Sequence, residues 1–486
     1  MGFLMPALTL IQGDTFDANT VDYRDALSVN MYAIPRDILG AQGYMQQIHG
    51  LTEFGNALSA SNGALWCSAQ GFEGHYRVQG SDFVSVDSSG SVTVLGSVSD
   101  TGQADMWFSF DNIAICRGGN LYYYNPTAGF RQITDNATIG SVVGNPISGC
   151  YVSSIMFLTD GERIYHSQFD EFAGQPAEEV FLVDAEAVPE FVPDYTYALR
   201  QAENDELIAF GSRSIEHYYL TGSEGFAFSP LNQKASRLGV VGTHSMAVMK
   251  GNWYLVGRTQ DSQPSVYIYR NGTHQKVGSR EIEQILSKYT DDQLETITVD
   301  AVEQDDVEMI IFHLPDMTLM YNPTIAKGAG VKAAWSKLKT DVLGDDPYRA
   351  KDFVQDPRIN QWIVGDRRDG ILGIFDDSVA THYGDIAEWI LFTPFIKAET
   401  LSIDEIEIET IAGIVGDIED AKASVSVTQD GRMYGHEYFM NYGDRYDYNQ
   451  RFIAYALGYV RHWIGFKFRG ASRNRMAFGL FNVKVS

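Results

Sequence analysis

Met106-Trp-Phe-Ser-Phe-Asp-Asn-Ile-Ala-Ile-Cys-Arg-Gly-Gly-Asn-Leu-Tyr-Tyr-Tyr124, followed by Phe130-Arg-Gln-Ile133, decides how the rest of the chain is read. Its short aromatic and β-branched runs are separated by Asp-Asn, Gly-Gly-Asn and Asn-Pro turns, which is how antiparallel strands joined by tight turns are written. The unit before it has the same build: Ala64-Leu-Trp-Cys67, Gly74-His-Tyr-Arg-Val78, Phe83-Val-Ser-Val86 and Val92-Thr-Val-Leu95. The rhythm restarts near Cys150, Ala198, Ser245, Thr298 and Tyr348, at spacings between 40 and 53 residues. The middle strands line up by type: Ile113-Ala-Ile, Ile155-Met-Phe-Leu, Leu207-Ile-Ala-Phe, Trp253-Tyr-Leu-Val, Met309-Ile-Ile-Phe and Trp362-Ile-Val. Four short strands per period of this length are the signature of a β-propeller, in which each small sheet covers its neighbours and radial closure leaves few exposed edges. The pattern predicts an all-β chain with a propeller of about seven blades, six to eight, over residues 61–395.

The flanking segments read differently. Residues 1–60, with Val29-Asn-Met-Tyr-Ala-Ile-Pro35 and Gly43-Tyr44, show little alternation and predict an extended N-terminal arm. Gly278 to Tyr289 places Ile282, Ile285, Leu286 and Tyr289 on one helical face, and Thr290-Asp-Asp-Gln293 matches a capping box, so a short helical insert is predicted there. Residues 396–486 predict a C-terminal antiparallel β-sandwich, led by the strict alternation of Glu405-Ile-Glu-Ile-Glu409. Charge segregates within it: residues 404–420 hold seven acids and no base, and 451–486 hold seven bases and no acid. Neutralisation between strands of one domain explains this; so does a contact with an acidic neighbour. The candidate subunit or partner interface is therefore Arg461, Lys467, Arg469, Arg473 and Arg475, with Glu405, Glu407 and Glu409.

The 486 residues carry 36 Lys and Arg against 63 Asp and Glu, a formal net charge of −27. Wrapping nucleic acid requires a basic face, so that function class is excluded for the chain as a whole. No basic residue precedes Arg24, so the start lacks the basic region of a signal peptide, and no window approaches the roughly 18 apolar residues of a membrane-spanning helix. Cys67, Cys116 and Cys150 have no paired spacing and read as buried, inert thiols.

The search for catalytic chemistry is nearly empty. No two of the ten His lie closer than 26 positions, so metal-ligand spacing is missing, and neither a nucleophile elbow nor a phosphate-binding loop is present. Gly328-Ala-Gly-Val-Lys-Ala333 has no βαβ context and reads as a loop rather than a dinucleotide turn. Eight acids between 167 and 197 (Asp170, Glu171, Glu178, Glu179, Asp184, Glu186, Glu190 and Asp194) lack the tight spacing of a calcium loop and read as a solvated connection. Thr428-Gln-Asp-Gly-Arg-Met-Tyr434 reads as a hairpin turn. No catalytic residue, metal site or cofactor is assigned.

Several blocks, in order along nearly the whole chain, carry a resemblance. They are Val29-Asn-Met-Tyr-Ala-Ile-Pro-Arg-Asp-Ile-Leu39, Phe210-Gly-Ser-Arg-Ser-Ile-Glu-His-Tyr-Tyr-Leu-Thr-Gly222 and Pro264-Ser-Val-Tyr-Ile-Tyr269. Ile282-Glu-Gln-Ile-Leu-Ser-Lys-Tyr-Thr290, Tyr348-Arg-Ala-Lys-Asp-Phe353, Leu391-Phe-Thr-Pro-Phe-Ile-Lys397 and Arg461-His-Trp-Ile-Gly-Phe-Lys-Phe-Arg469 complete them. The chain resembles the packaged DNA stabilization proteins, or tail hubs, of short-tailed Lederbergvirus-type phages. The resemblance implies a structural, non-enzymatic virion protein made in the host cytoplasm. It implies a homo-oligomer, a hexameric ring, below the portal and its head-to-tail adaptor. Such a ring holds the tail needle, helps seat the tailspikes, and seals packaged DNA in the head while forming part of the ejection conduit. A glycan- or receptor-binding tail propeller, or a carbohydrate-active enzyme, is the competing reading, and it predicts a concave pocket with clustered carboxylates and exposed aromatics.

Overall fold

A computed structural model describes residues 3–4, 8–9, 27–38, 41–56, 59–133, 144–167, 181–189, 191–192, 194–223, 225–393, 395–397, 400–410, 422–441 and 449–486. The chain forms two compact units, one built from residues 53–301 and 350–374, the other from 1–52, 302–349 and 375–486.

Seven antiparallel sheets follow one another along the chain, as the repeat predicts. In the first, Ser61–Cys67, Gly74–Gln79, Asp82–Val86 and Val92–Ser97 lie in sequence order. Asp105–Phe108, Ile113–Arg117, Asn120–Asn125 and Gly129–Ile133 form the second, and later sheets open with Ser148–Val152, Thr196–Gln201, Leu238–Val240, Thr298–Gln304 and Ala350–Asp356. In several of them the second strand is strongly apolar, because it has neighbours on both edges and both faces. Ile113–Arg117, Ile155–Thr159, Leu207–Gly211 and Val307–His313 are buried along their full length. Side chains from consecutive sheets interleave: Trp107, Ala114, Leu121 and Tyr123 of the second pack with Met156, Leu158 and Tyr165 of the third. Each sheet thus supplies half of two cores, so no blade can bury its faces alone.

Within the N-terminal segment, two strands are described that join the C-terminal part of the chain. Met31–Ile38 and Ala41–Gln47 pair as a hairpin and join a sheet ordered Met31–Ile38, Ala41–Gln47, Ala477–Val485, Leu401–Thr410, Phe452–Val460. The next strand, Gly50–Asn56, belongs to the seventh sheet, after Ala350–Asp356, Gln361–Asp366 and Ile371–Asp376. The chain therefore begins the closing blade before it builds the first one. Asn30 fixes this entry, at φ 52°, a left-handed conformation that Asn tolerates. Its buried amide donates to the Lys339 and Glu388 carbonyls at 2.9 and 2.7 Å, while its oxygen accepts from the Lys339 N–H at 2.9 Å.

The second sandwich sheet is ordered Glu388–Phe392, Trp463–Ala471, Lys422–Thr428, Tyr438–Asn441. The core holds Trp389 and Phe478, with ring centroids 4.9 Å apart, and Phe481 against Phe466 at 5.2 Å. Leu401–Thr410 behaves as its alternation predicts, burying Ile403, Ile406 and Ile408 and turning Glu405, Glu407 and Glu409 away.

The helical insert is present as Arg280–Leu286, which buries Ile282 and Leu286, and Asp291–Glu295, whose Thr290 and Gln293 form the predicted capping box. Gly328 departs from its loop reading. It lies in a helix, Pro323–Ala329, that starts with Pro at its first turn and an Asn322 side chain accepting from the Ile325 N–H; Gly330, at φ 90°, ends it. Asn322-Pro323 is a helix start, and the glycines at 328 and 330 lie at the end of that helix rather than in a loop.

Candidate functional site: a closed propeller axis and a charged sandwich

The first strands of the sheets converge, and what they bring together is polar. Ser61, Asp105, Ser148, Arg200, Asp300 and Asp352 all sit on first strands, from six different sheets. Asp352 is the centre of one cluster. Its carboxylate accepts from the Ser61 hydroxyl at 2.6 Å, the Gln103 amide at 2.6 Å and the Gly63 N–H at 3.0 Å. Fully buried Arg77 donates to the Ser61 hydroxyl at 3.0 Å and the Asp352 carbonyl at 2.9 Å. Lys351 donates to Gln103 at 2.6 Å, and Asp300 accepts from the Asp352 N–H at 3.0 Å. Burial pushes the Asp352 pKa up, but the charges of Lys351 and Arg77, with the hydrogen bonds from Ser61 and Gln103, outweigh it and hold it below the usual carboxylate range.

A second cluster adjoins it. Arg200 grips Asp105 with both guanidinium nitrogens, at 3.0 and 2.9 Å, and reaches the Thr243 carbonyl at 3.3 Å. Ser148 donates to the same carboxylate at 2.6 Å. His244 lies beside these charges, and burial lowers its pKa to about 4, so the ring is neutral at pH 7. The Arg200–Asp105 ion pair and the hydrogen bonds to Asp352 tie the first strands of different sheets to one another. None of these residues was anticipated. The available signal was a polar residue recurring in the first strand of each repeat, inside runs that otherwise read as core.

A cavity of about 450 Å³ opens over this cluster. Tyr195, Tyr197, Arg117, His244 and Glu295 are among its lining residues, and the Tyr197 hydroxyl donates to Glu295 at 2.7 Å. Glu295 is its single carboxylate among the described residues, so the clustered acids of a glycosidase are not gathered there.

Elsewhere a carboxylate, an imidazole and a hydroxyl stand in line: Glu206 lies 2.9 Å from His217 Nδ1, and Tyr269 Oη lies 2.7 Å from His217 Nε2. Lys234 also holds Glu206, at 2.5 Å. The tyrosine is not an activated nucleophile. Burial raises its pKa, and its hydroxyl already accepts from the Gly272 N–H and reaches the Lys234 carbonyl. The chain of groups pins neighbouring strands.

The charged sandwich residues are largely spoken for within their own unit. Arg451, which was not among the candidates, pairs with Glu405 at 3.0 Å and with Glu407 at 2.6 Å. Glu409 accepts from the Asn482 amide. Arg469 pairs with buried Glu388, which Lys339 also holds at 2.5 Å. Lys467 stands 5.1 Å over the Tyr434 ring. Arg475 donates to the Gln47 carbonyl at 3.0 Å and the Tyr32 hydroxyl at 3.1 Å, and Arg473 to the Gly384 carbonyl at 3.5 Å. Arg461 is exposed in the turn that follows Phe452–Val460. The structure thus brings Glu405 and Glu407 to Arg451 and leaves Arg461 apart from them. Of the acids between 167 and 197, Asp170, Glu171, Glu178, Glu179 and Glu190 lie outside the described residues, as do the acids of 411–420. Glu186 pairs with Arg163, and Asp194 accepts from the Arg213 and Ser214 N–H groups at 2.6 and 2.9 Å.

A seven-sheet propeller, joined in one chain to a sandwich, defines the class of the chain as all-β. The chain belongs to the bacteriophage P22 Gp10 family: the model of that family's β-propeller matches residues 6–380, and the model of its β-sandwich matches 388–486. A curated relative is the tail hub protein gp10 of Salmonella phage P22, 27% identical over 499 residues that span 98% of this chain and 99% of that one. Among solved structures, a streptogramin B lyase aligns with a TM-score of 0.41 at 11% identity, covering 67% of this chain and 97% of that one. The N-terminal domain of Nup159 aligns at 0.39 and 8%, covering 72% and 98%. Likenesses this low carry no argument about function.

Proposed function

We propose that this phage tail-hub structural protein acts as a multi-copy, non-catalytic ring component of the virion tail, made in the host cytoplasm. In this reading the ring lies below the portal and its adaptor, holds the tail needle, helps seat the tailspikes, and keeps packaged DNA in the head. The observation that carries it is the match to both parts of the Gp10 family along nearly the full length, to a relative named as a tail hub. The filled axis supports it: a propeller cross-braced by Asp352, Arg77, Asp105 and Arg200 is a stiff block, suited to bearing load rather than to passing or processing a polymer. The net charge of −27 supports a conduit role, because an acidic wall repels phosphate and does not retain DNA during exit.

The test is a phage in which the gene is silenced. Particles grown without the chain are expected to package DNA and then lose it, seen as nuclease-sensitive genome, and to regain retention when the chain is added back. Particles that keep their DNA and carry needle and spikes without it would contradict the proposal.

A further inference from the structure

The helical insert ends at the cavity that opens over the axial cluster. Glu295, the last residue of Asp291–Glu295, lines it. Thr290 and Gln293 cap the start of that helix, and Asp291 pairs with Arg258 at 3.0 Å. Its end rests on Gly242, where a Cβ would meet the Glu295 carbonyl oxygen at 2.7 Å. The carboxylate is aimed as well: it accepts from the Tyr197 hydroxyl at 2.7 Å, and its other oxygen has no partner among the described residues.

Tyr195 gives the cavity a flat apolar wall. It is 42% exposed, yet its ring is held edge-on to Tyr197, with centroids 5.1 Å apart, and against Gly161, where any side chain would collide with it. An exposed ring fixed in this way loses little freedom when a ligand stacks on it. His244 and Arg117 add polar groups. Neither ring nitrogen of His244 has a partner among the described residues, and the neutral ring offers one donor and one acceptor. Arg117 donates from Nε to the Gly102 carbonyl and from Nη1 to the Gly80 carbonyl, so only Nη2 is uncommitted. It is not the paired fork that grips a phosphate or a carboxylate.

These groups select a ligand class. Arg117 and Glu295 are the charged lining residues among those described, and their charges cancel. A charged ligand would leave one of them opposed, and a purely apolar one would leave the polar groups unpaired. A pyranose sugar is neutral, presents a flat C–H face to an aromatic ring, and carries hydroxyls that both donate and accept. At about 450 Å³ the cavity lies in the size range of small-molecule sites. We propose that it is a sugar-binding site that holds one pyranose unit on Tyr195, with hydroxyls bonded to Glu295, His244 and Arg117. It binds without cleaving, because hydrolysis needs a second carboxylate. The site stands apart from the ring reading above and does not depend on it.

Saturation-transfer NMR tests this on the full-length chain with the methyl glycosides of glucose, galactose, mannose, rhamnose and N-acetylglucosamine. At least one is expected to bind with a millimolar Kd, to receive saturation mainly through the C–H protons of one ring face, and to remain intact. Tyr195→Ala and Glu295→Ala are each expected to weaken binding about tenfold. Tyr219→Ala, at a 44% exposed tyrosine of the fourth sheet, is expected to bind like wild type, and thermal melts establish that every variant is folded. Competition by a soluble polymer of the bound sugar assigns the site to a polysaccharide, competition by the monomer alone to a free sugar, and either supports the proposal. No transfer to any glycoside at about 10 mM, binding unchanged in both cavity variants, or transfer only to thymidine monophosphate used as a control overturns it, and the tail-hub reading stands.

Discussion

Asp352→Asn removes a charge from the centre of the propeller while changing almost nothing else. Asn has the same shape and tolerates the left-handed backbone that Asp352 adopts at φ 55°, so strain does not confound the result. The amide oxygen can still accept from Ser61 and Gly63, but the new NH₂ faces the Gln103 NH₂, which now donates at 2.6 Å. Flipping Gln103 turns its own donors towards Lys351, whose ammonium needs the Gln103 oxygen. One donor pair is therefore unsatisfied whichever way the amides turn. Two hydrogen bonds weakened from charged to neutral cost about 1 kcal/mol together, and an unsatisfied buried donor adds about 1–3 kcal/mol. Arg77 and Lys351 also lose their compensating charge, and removing one partner from a buried ionic set costs about 3–5 kcal/mol overall. The expected loss is about 3–4 kcal/mol, which for a domain of this size lowers the melting temperature by roughly 6–12 °C. Calorimetry on the variant and on Gln103→Ala, expected to lose only about 1 kcal/mol, reads this directly. An Asp352→Asn protein within about 0.5 kcal/mol of wild type, the scatter of ordinary surface substitutions, would refute the claim that the axis is braced by this carboxylate.

Three further outcomes follow from buried ionisable groups. His244 has its pKa lowered to about 4 by burial, so between pH 6.5 and 4 the unfolded chain binds the extra proton and stability falls as pH falls; a melting temperature flat across that window would contradict it. His49 and His75, also lowered by burial, act in the same direction. Glu388→Ala strands Lys339 beside Arg469 and is expected to destabilise the second unit by about 3–5 kcal/mol, whereas Arg451→Ala, a surface pairing, costs at most about 1 kcal/mol; urea titrations distinguish the two. Burial raises the Cys67 thiol to about 11 and pushes Cys116 and Cys150 up as well, so a thiol reagent at pH 8 is expected to label no cysteine in the folded protein and three after denaturation.

The propeller was legible because several of its second strands are apolar on every face, which makes Ile113-Ala-Ile and Met309-Ile-Ile-Phe stand out at a regular interval. The sandwich was legible in the period-two pattern of Glu405 to Glu409. Long-range pairing was not. Residues 31–47 carry no local sign that they will hydrogen-bond to Ala477–Val485, and Gly50–Asn56 no sign that it completes the last sheet. The charge segregation was visible, but its meaning was divided. Arg451 closes on Glu405 and Glu407 inside one sheet, and Arg469 on Glu388, while Arg461 stays exposed. Spacing along a chain cannot make that distinction, because it depends on which strands become neighbours. The axial polar set was hidden for the same reason: a lone Ser61 or Asp105 within a strand looks like noise until six such strands meet.

Imaging intact tails at a resolution that separates strands tests the central claim most directly. The account predicts several copies of the seven-sheet propeller around the tail axis, each with side-chain density filling its centre, and DNA running outside every propeller. DNA threading a propeller centre, or a single copy at the tail periphery, would contradict it.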